Sequence, residues 1–187
     1  MSEPGRSEPG MDVAEAARQW LRDRGAQEIP HAGGSLYDHL GRVHDRLRDL
    51  GAGPDLRLAG LTHAAYGTDG FATALLDVAH RDRLRRLVGE PAEAIVYRYG
   101  GCDRGHTWRA LSRTGQIRSR FTQTVEAPTA AQLRAFVDLS IVNELDVALH
   151  DPAIAREHGD YFRSVFGSWA VLASPAVIMD ARRVLTF

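Results

Sequence analysis

Apolar residues recur at helical spacing through most of the chain. Val13, Ala16, Ala17, Trp20 and Leu21 share one helical face, predicting a helix over 13–24 with Gly25 as its stop. A loop through Pro30, His31, Gly33 and Gly34 leads to Ser35, an N-cap residue with Asp38 three positions on, close to a capping box. Leu36, Leu40, Val43, Leu47 and Leu50 then step by four, three, four and three, the clearest amphipathic helix in the sequence, closed by Gly51. Pro54 opens a second helix whose Leu56, Leu58, Ala59, Leu61, Ala64 and Ala65 leave almost no polar face, so it is expected at the centre of the fold; it breaks over 66–70. Further helices are predicted over 72–78, 81–88 and 91–99, then over 129–149, 152–169 and 175–184. Between them, Arg109 to Arg113 and Ile117 to Val125 alternate roughly about Thr114-Gly115-Gln116, which predicts a small β-hairpin within 108–125. The expected fold class is all-α, a helical bundle with one hairpin insertion. Residues 1–11 repeat Ser-Glu-Pro-Gly and are read as a disordered arm, leaving 12–187 as a single domain.

Composition narrows the chemistry. All 23 basic side chains are arginine, and the absence of lysine removes Schiff-base catalysis, a lysine base and the phosphate loop that requires Gly-Lys-Ser/Thr. The formal charge of -1 gives no net attraction to nucleic acid or an acidic membrane, so neither is expected as a partner. The single cysteine, Cys102, excludes an internal disulfide and a cysteine-rich zinc site. Without an apolar run long enough for a bilayer or a signal-like start, the expectation is a cytoplasmic protein acting on a small molecule, with a homodimer left open.

The pattern also places polar groups where a helix should bury apolar ones. His39 lies at the edge of the stripe from Leu36 to Leu50, and His63 shares a face with Leu56 and Ala59. Ala135, Leu139, Val142, Asp146 and Leu149 form another stripe, with Asp146 inside it and Asn143 and His150 on either side. A buried aspartate is costly unless a cation or hydrogen bonds compensate it. With no lysine available, its partner must be a metal, an arginine or a histidine. Two buried histidines and an aspartate on three helices are the ligand types of a mononuclear site for Mn, Fe, Zn, Co or Ni. The plainer alternative is two hydrogen-bonded core histidines and an aspartate that caps a helix or pairs with arginine.

The order of these residues resembles the HD-domain superfamily of metal-dependent phosphohydrolases. Their surroundings are most similar to the hydrolase domain of RelA/SpoT-type alarmone enzymes, in Ser35-Leu-Tyr-Asp-His39-Leu, Leu58-Ala-Gly-Leu-Thr-His63 and Leu145-Asp146-Val-Ala-Leu-His150. The chain is also similar to a family of small uncharacterised HD-like proteins, in Ile29-Pro-His31 and His63-Ala-Ala-Tyr-Gly-Thr-Asp-Gly-Phe71. The resemblance spans about 29–147 and implies an HD-type bundle that hydrolyses a small phosphorylated or otherwise anionic metabolite with metal-activated water. One departure stands out: the signature His-Asp pair is here His63-Ala64, which removes a ligand and the bridge to a second ion. The implied site is therefore one divalent transition metal on His39, His63 and Asp146, to which His31 adds a fourth nitrogen unless it is a loop histidine bonded to backbone. Asp69, His150 and Asn143 are the expected catalytic residues, Asp69 as a base or as the cap of the next helix. Arg98, Arg104 and Tyr66 are expected to bind the substrate. Two alternatives remain open: a mononuclear non-heme iron oxygenase, and a metal-free enzyme or ligand-binding module on a degenerate HD fold.

Overall fold

The computed structural model describes residues 12–185. The arm expected over 1–11 lies outside them. The chain is all-α with two very short antiparallel sheets. Helix α1 (Val13–Arg22) leads through β1 (Pro30–His31) and β2 (Gly34–Ser35) to α2 (Leu36–Asp49) and α3 (Pro54–Thr62). A 3-10 turn at Val78–His80 precedes α4 (Arg81–Val88) and α5 (Glu90–Gly101). Two short helices, α6 (Arg104–Thr107) and α7 (Leu111–Thr114), are followed by β3 (Ile117–Arg118) and β4 (Val125–Glu126). The chain continues as α8 (Ala130–His150), α9 (Pro152–Ser168) and α10 (Pro175–Leu185). Among the described residues, no helix is long and apolar enough to cross a membrane.

Local chemistry explains the element starts nearest the site. Ser35 and Asp38 form the expected capping box, the Asp38 carboxylate accepting from the Ser35 backbone N–H and hydroxyl, and Thr129 with Gln132 does the same for α8. Helix α8 runs through the core rather than along it. From Leu133 to Ala148 most of its residues are buried, polar Asp138, Ser140, Asn143, Glu144 and Asp146 included. A helix buried all round has no polar face to turn outward, so each of these side chains needs a partner inside. Helix α2 packs against both α3 and α8. It approaches α3 closely because residue 60 is glycine: a Cβ there would lie 2.5 Å from Leu47 Cδ1. That close crossing brings His39 of α2 and His63, just past α3, to the same depth.

Two expected elements differ. The segment expected as a helix over 72–78 is loop as far as Asp77, and the N–H groups of Leu75 and Leu76 both donate to the Ala65 carbonyl instead. The hairpin is shorter and later than the alternation suggested. Residues 111–114 form a helical turn ended by Gly115 at φ 62°, and the strands pair Ile117 with Glu126 and Arg118 with Val125. Arg81, at the start of α4, pairs at 2.7 Å with Glu93, which is fully buried.

Glycine also shapes the junction at the end of α5. A Cβ at Gly100 would meet the Gly67 carbonyl at 2.8 Å, and one at Gly101 would meet the Phe121 ring at the same distance. The loop carrying Asp69 and the hairpin therefore both seat against bare backbone.

Candidate functional site

His39, His63 and Asp146 are each almost completely buried, and the structure brings them together around His39. Asp146 Oδ2 lies 2.7 Å from His39 Nδ1, and Arg42 grips the same carboxylate through Nε and a terminal nitrogen, both at 2.9 Å. Burial disfavours the charge on Asp146, but the hydrogen bonds from His39 and Arg42 outweigh it and bring the pKa down to about 2. An ionised Asp146 accepts from His39 Nδ1–H and so turns Nε2 to the opposite side. The partner demanded by a buried aspartate in a lysine-free chain is thus a histidine together with an arginine.

Nε2 of His39 points to two further acceptors. His63 Nε2 lies at 3.3 Å and Asn143 Oδ1 at 3.0 Å. His63 donates from Nδ1 to the Gly60 carbonyl (2.8 Å), so its Nε2 also bears a lone pair. Burial, reinforced by His39, lowers the pKa of His63 to about 3. The amide of Asn143 is oriented by its Nδ2, which donates to Glu144 Oε1 at 2.9 Å and leaves Oδ1 facing the histidines. A lone pair on His39 Nε2 would face two others, at 3.3 and 3.0 Å, and be repelled by both unless a proton or a cation stands between them. Asp146 is not one of the three: it sits at the opposite edge of the His39 ring from His63.

His31 completes the group. The β1–β2 turn lays its ring on His39 with centroids 4.2 Å apart and planes 20° off parallel, and Phe71 meets its other side edge-on. Its Nδ1 is buried without a hydrogen-bond partner among the described residues, so it is not the backbone-bonded loop histidine of the alternative reading. Burial and the neighbouring His39 lower its pKa to about 4. The turn is held by Arg42, which donates to the Ala32 carbonyl at 2.7 Å, and by the close seat of Gly33 on the His150 ring. Arg42, absent from the sequence-based candidates, therefore ties together Asp146, His39 and the His31 turn.

A cavity of about 250 Å³ opens beside this centre, and His31, His63, Asp69, Arg104, Asn143 and Glu144 contribute to its wall. Asp69 Oδ2 accepts from the Arg104 backbone N–H at 2.8 Å, while its other oxygen accepts no hydrogen bond among the described residues. Its capping role is thus at the start of α6 rather than at the next helix along the chain. Arg104 donates to Glu144 Oε1 and to the Tyr99 hydroxyl, both at 2.8 Å. Burial opposes the charge of Arg104, but Tyr99 and Glu144 outweigh it, and its pKa is raised.

The other expected residues lie elsewhere. Arg98 pairs with Glu126 of the hairpin at 2.7 Å, and the Tyr66 hydroxyl donates to Glu93 at 2.8 Å; neither lines the cavity. His150 donates from Nδ1 to the Asp146 carbonyl at 2.8 Å and faces a separate cleft with Arg42. Glu144 was missed by sequence reasoning, though it lies in the same buried helix as Asp146 and could have been found by asking which polar residues of α8 need partners. His158 also stands at the cavity wall.

Among the described residues no three His, Cys, Asp or Glu side chains are arranged to hold a metal ion; the set that converges is two imidazoles and an amide oxygen. A family model described as a domain of unknown function (DUF6817) matches residues 20–104, a span that includes His31, His39, His63 and Asp69 but ends before α8. No curated protein and no solved structure matches the chain.

Proposed function

We propose that the chain is a metal-dependent enzyme, a hydrolase of a small molecule, in which His39 Nε2, His63 Nε2 and Asn143 Oδ1 hold one divalent transition-metal ion. The observation that carries the proposal is that His63 Nε2 and Asn143 Oδ1 both lie within 3.3 Å of His39 Nε2, while His39 Nδ1–H is directed to Asp146, His63 Nδ1–H to Gly60 and an Asn143 amide proton to Glu144. Two nitrogens on one first-row ion, each about 2.1 Å from it, lie about 2.9–3.4 Å apart for ligand angles between square and tetrahedral. The observed 3.3 Å between the two Nε2 atoms falls in that range. The low pKa values of His31 and His63 keep both rings neutral at physiological pH, the state in which imidazole binds metal. The unpartnered Nδ1 of His31 is a further nitrogen beside the set.

Asp146 then acts from behind. A carboxylate on the far nitrogen of a ligating histidine fixes its tautomer and raises its basicity, and Arg42 holds that carboxylate in place. The ion supplies Lewis acidity beside the cavity, the means by which water becomes nucleophilic at neutral pH. Asp69, whose second oxygen is uncommitted on the cavity wall, is placed to take the proton from an attacking water. His150 hydrogen-bonds away from the cavity and takes no part in this scheme.

Metal analysis of protein purified without chelator, alongside His63→Ala, tests the reading. About one equivalent of Mn, Fe, Zn, Co or Ni is expected in the wild type and none in the variant. A wild type that carries no metal and gains none on reconstitution overturns it, and leaves a proton on His39 Nε2, shared between His63 Nε2 and Asn143 Oδ1, as the group that satisfies them.

A further inference from the structure

The cavity beside the histidines continues into a second chamber of about 230 Å³, walled by Trp108, Tyr161 and Phe162. The two chambers share Arg104, Glu144, His158 and Phe162. Glu144 stands at their junction and is only 7% exposed. Its Oε1 takes both donors that reach it, from Arg104 and Asn143; Oε2 accepts no hydrogen bond among the described residues. A carboxylate oxygen that faces a cavity with no donor from the protein is a place for a ligand's donor.

Charge decides which donor. Arg104 is the one guanidinium on either wall, and its terminal nitrogens are committed to Glu144 and Tyr99 while its flat face lies 4.8 Å from the Trp108 ring. Phosphate or carboxylate entering here would have to displace Glu144 from that arginine. Asp69 and Glu144 each leave one carboxylate oxygen on these walls without a donor among the described residues. The aromatic walls suit an apolar body, and aromatic rings with a carboxylate beside them are the surroundings that a desolvated organic cation prefers.

We propose that Glu144 and the chamber of Trp108, Tyr161 and Phe162 are the specificity subsite of the substrate, and that this subsite takes an organic ammonium group on an apolar, aromatic-sized body. The ammonium donates to Glu144 Oε2, and the body lies among the three rings. The proposal rests on the preceding reading only in taking this cavity as the substrate site. Its test uses chelator-treated protein, so that its failure and the failure of the metal assignment are separate results.

Three probes of one shape serve: phenethylamine, phenethyl alcohol and phenylacetate, titrated into the wild-type chain and followed by NMR at the tryptophan indole signals. Phenethylamine is expected to bind about tenfold or more tightly than the alcohol, with phenylacetate weakest. Glu144→Gln, checked for folding by circular dichroism, is expected to remove that preference and leave the alcohol's affinity within about twofold. Equal affinity for all three probes in the wild type, or tightest binding of phenylacetate, overturns the proposal whether or not the variant folds. So does a folded Glu144→Gln chain that keeps the amine preference.

Discussion

Replacing Asp146 with alanine tests how the buried centre is held. In the native chain its carboxylate takes His39 Nδ1–H at 2.7 Å and two Arg42 nitrogens at 2.9 Å. The alanine leaves the His39 Nδ1–H, on a side chain 1% exposed, without its acceptor, a loss of about 1–3 kcal/mol. Arg42 is 26% exposed and keeps the Ala32 carbonyl, so solvent screens its share to about 1 kcal/mol. The sum, about 3 kcal/mol, sits at the lower edge of the 3–5 kcal/mol typical of breaking a buried ion pair by removing one partner. Urea unfolding followed by circular dichroism, in chelator so that no ion contributes, measures it. Arg42→Met in the Asp146→Ala background removes the guanidinium left without its partner, so the double variant should be at least about 1 kcal/mol more stable than the sum of the single effects. A cost below about 1 kcal/mol for Asp146→Ala, or a cycle that closes with no coupling, would refute the idea that this ion pair anchors His39.

Two other perturbations probe the same architecture. His63 has a pKa of about 3 in the folded chain against about 6.5 unfolded; between those values the unfolded chain binds the extra proton, so stability falls as pH drops from 6.5 toward 3. At about 1.4 kcal/mol per unit, metal-free wild type loses about 2 kcal/mol from this group between pH 6.5 and pH 5, and His63→Gln should show a correspondingly shallower acid slope; equal slopes would contradict the burial of a neutral imidazole. Gly100→Ala sets a methyl group 2.8 Å from the Gly67 carbonyl, backbone that cannot rotate aside, and should cost about 1–3 kcal/mol in thermal or urea unfolding while shifting the NMR signals of the loop that carries Asp69; an unchanged midpoint would show that the loop does not seat there.

The sequence made the helices legible where one face repeats, as in α2, whose stripe from Leu36 to Leu47 is fully buried. It also exposed the site, because His39, His63 and Asp146 each break an apolar pattern at a buried position. It did not show which edge of His39 each partner meets. Spacing places side chains on a helix face but says nothing of ring orientation, and that separates an aspartate beside His63 from one behind His39. Arg42 was hidden for a related reason: an arginine one turn from a buried histidine reads as surface until its partner, about a hundred residues away, is packed against it. Residues 72–78 look helical by composition, yet the Ala65 carbonyl takes their amides, a tertiary contact that local propensity cannot contain. The hairpin was misregistered because Gly115 ends a helical turn with the same left-handed geometry that a turn between strands would use.

Cobalt(II) titration of chelator-treated wild type, His63→Ala and Asp146→Ala, followed by visible absorption, tests the central claim most directly. The claim is that two imidazoles and Asn143 face the ion while Asp146 supports His39 from behind. The expected result is one equivalent bound by the wild type, binding abolished in His63→Ala, and affinity weakened by about 10–100-fold but retained in folded Asp146→Ala. A wild type that binds no cobalt, or a His63→Ala chain that binds it as the wild type does, would contradict the claim.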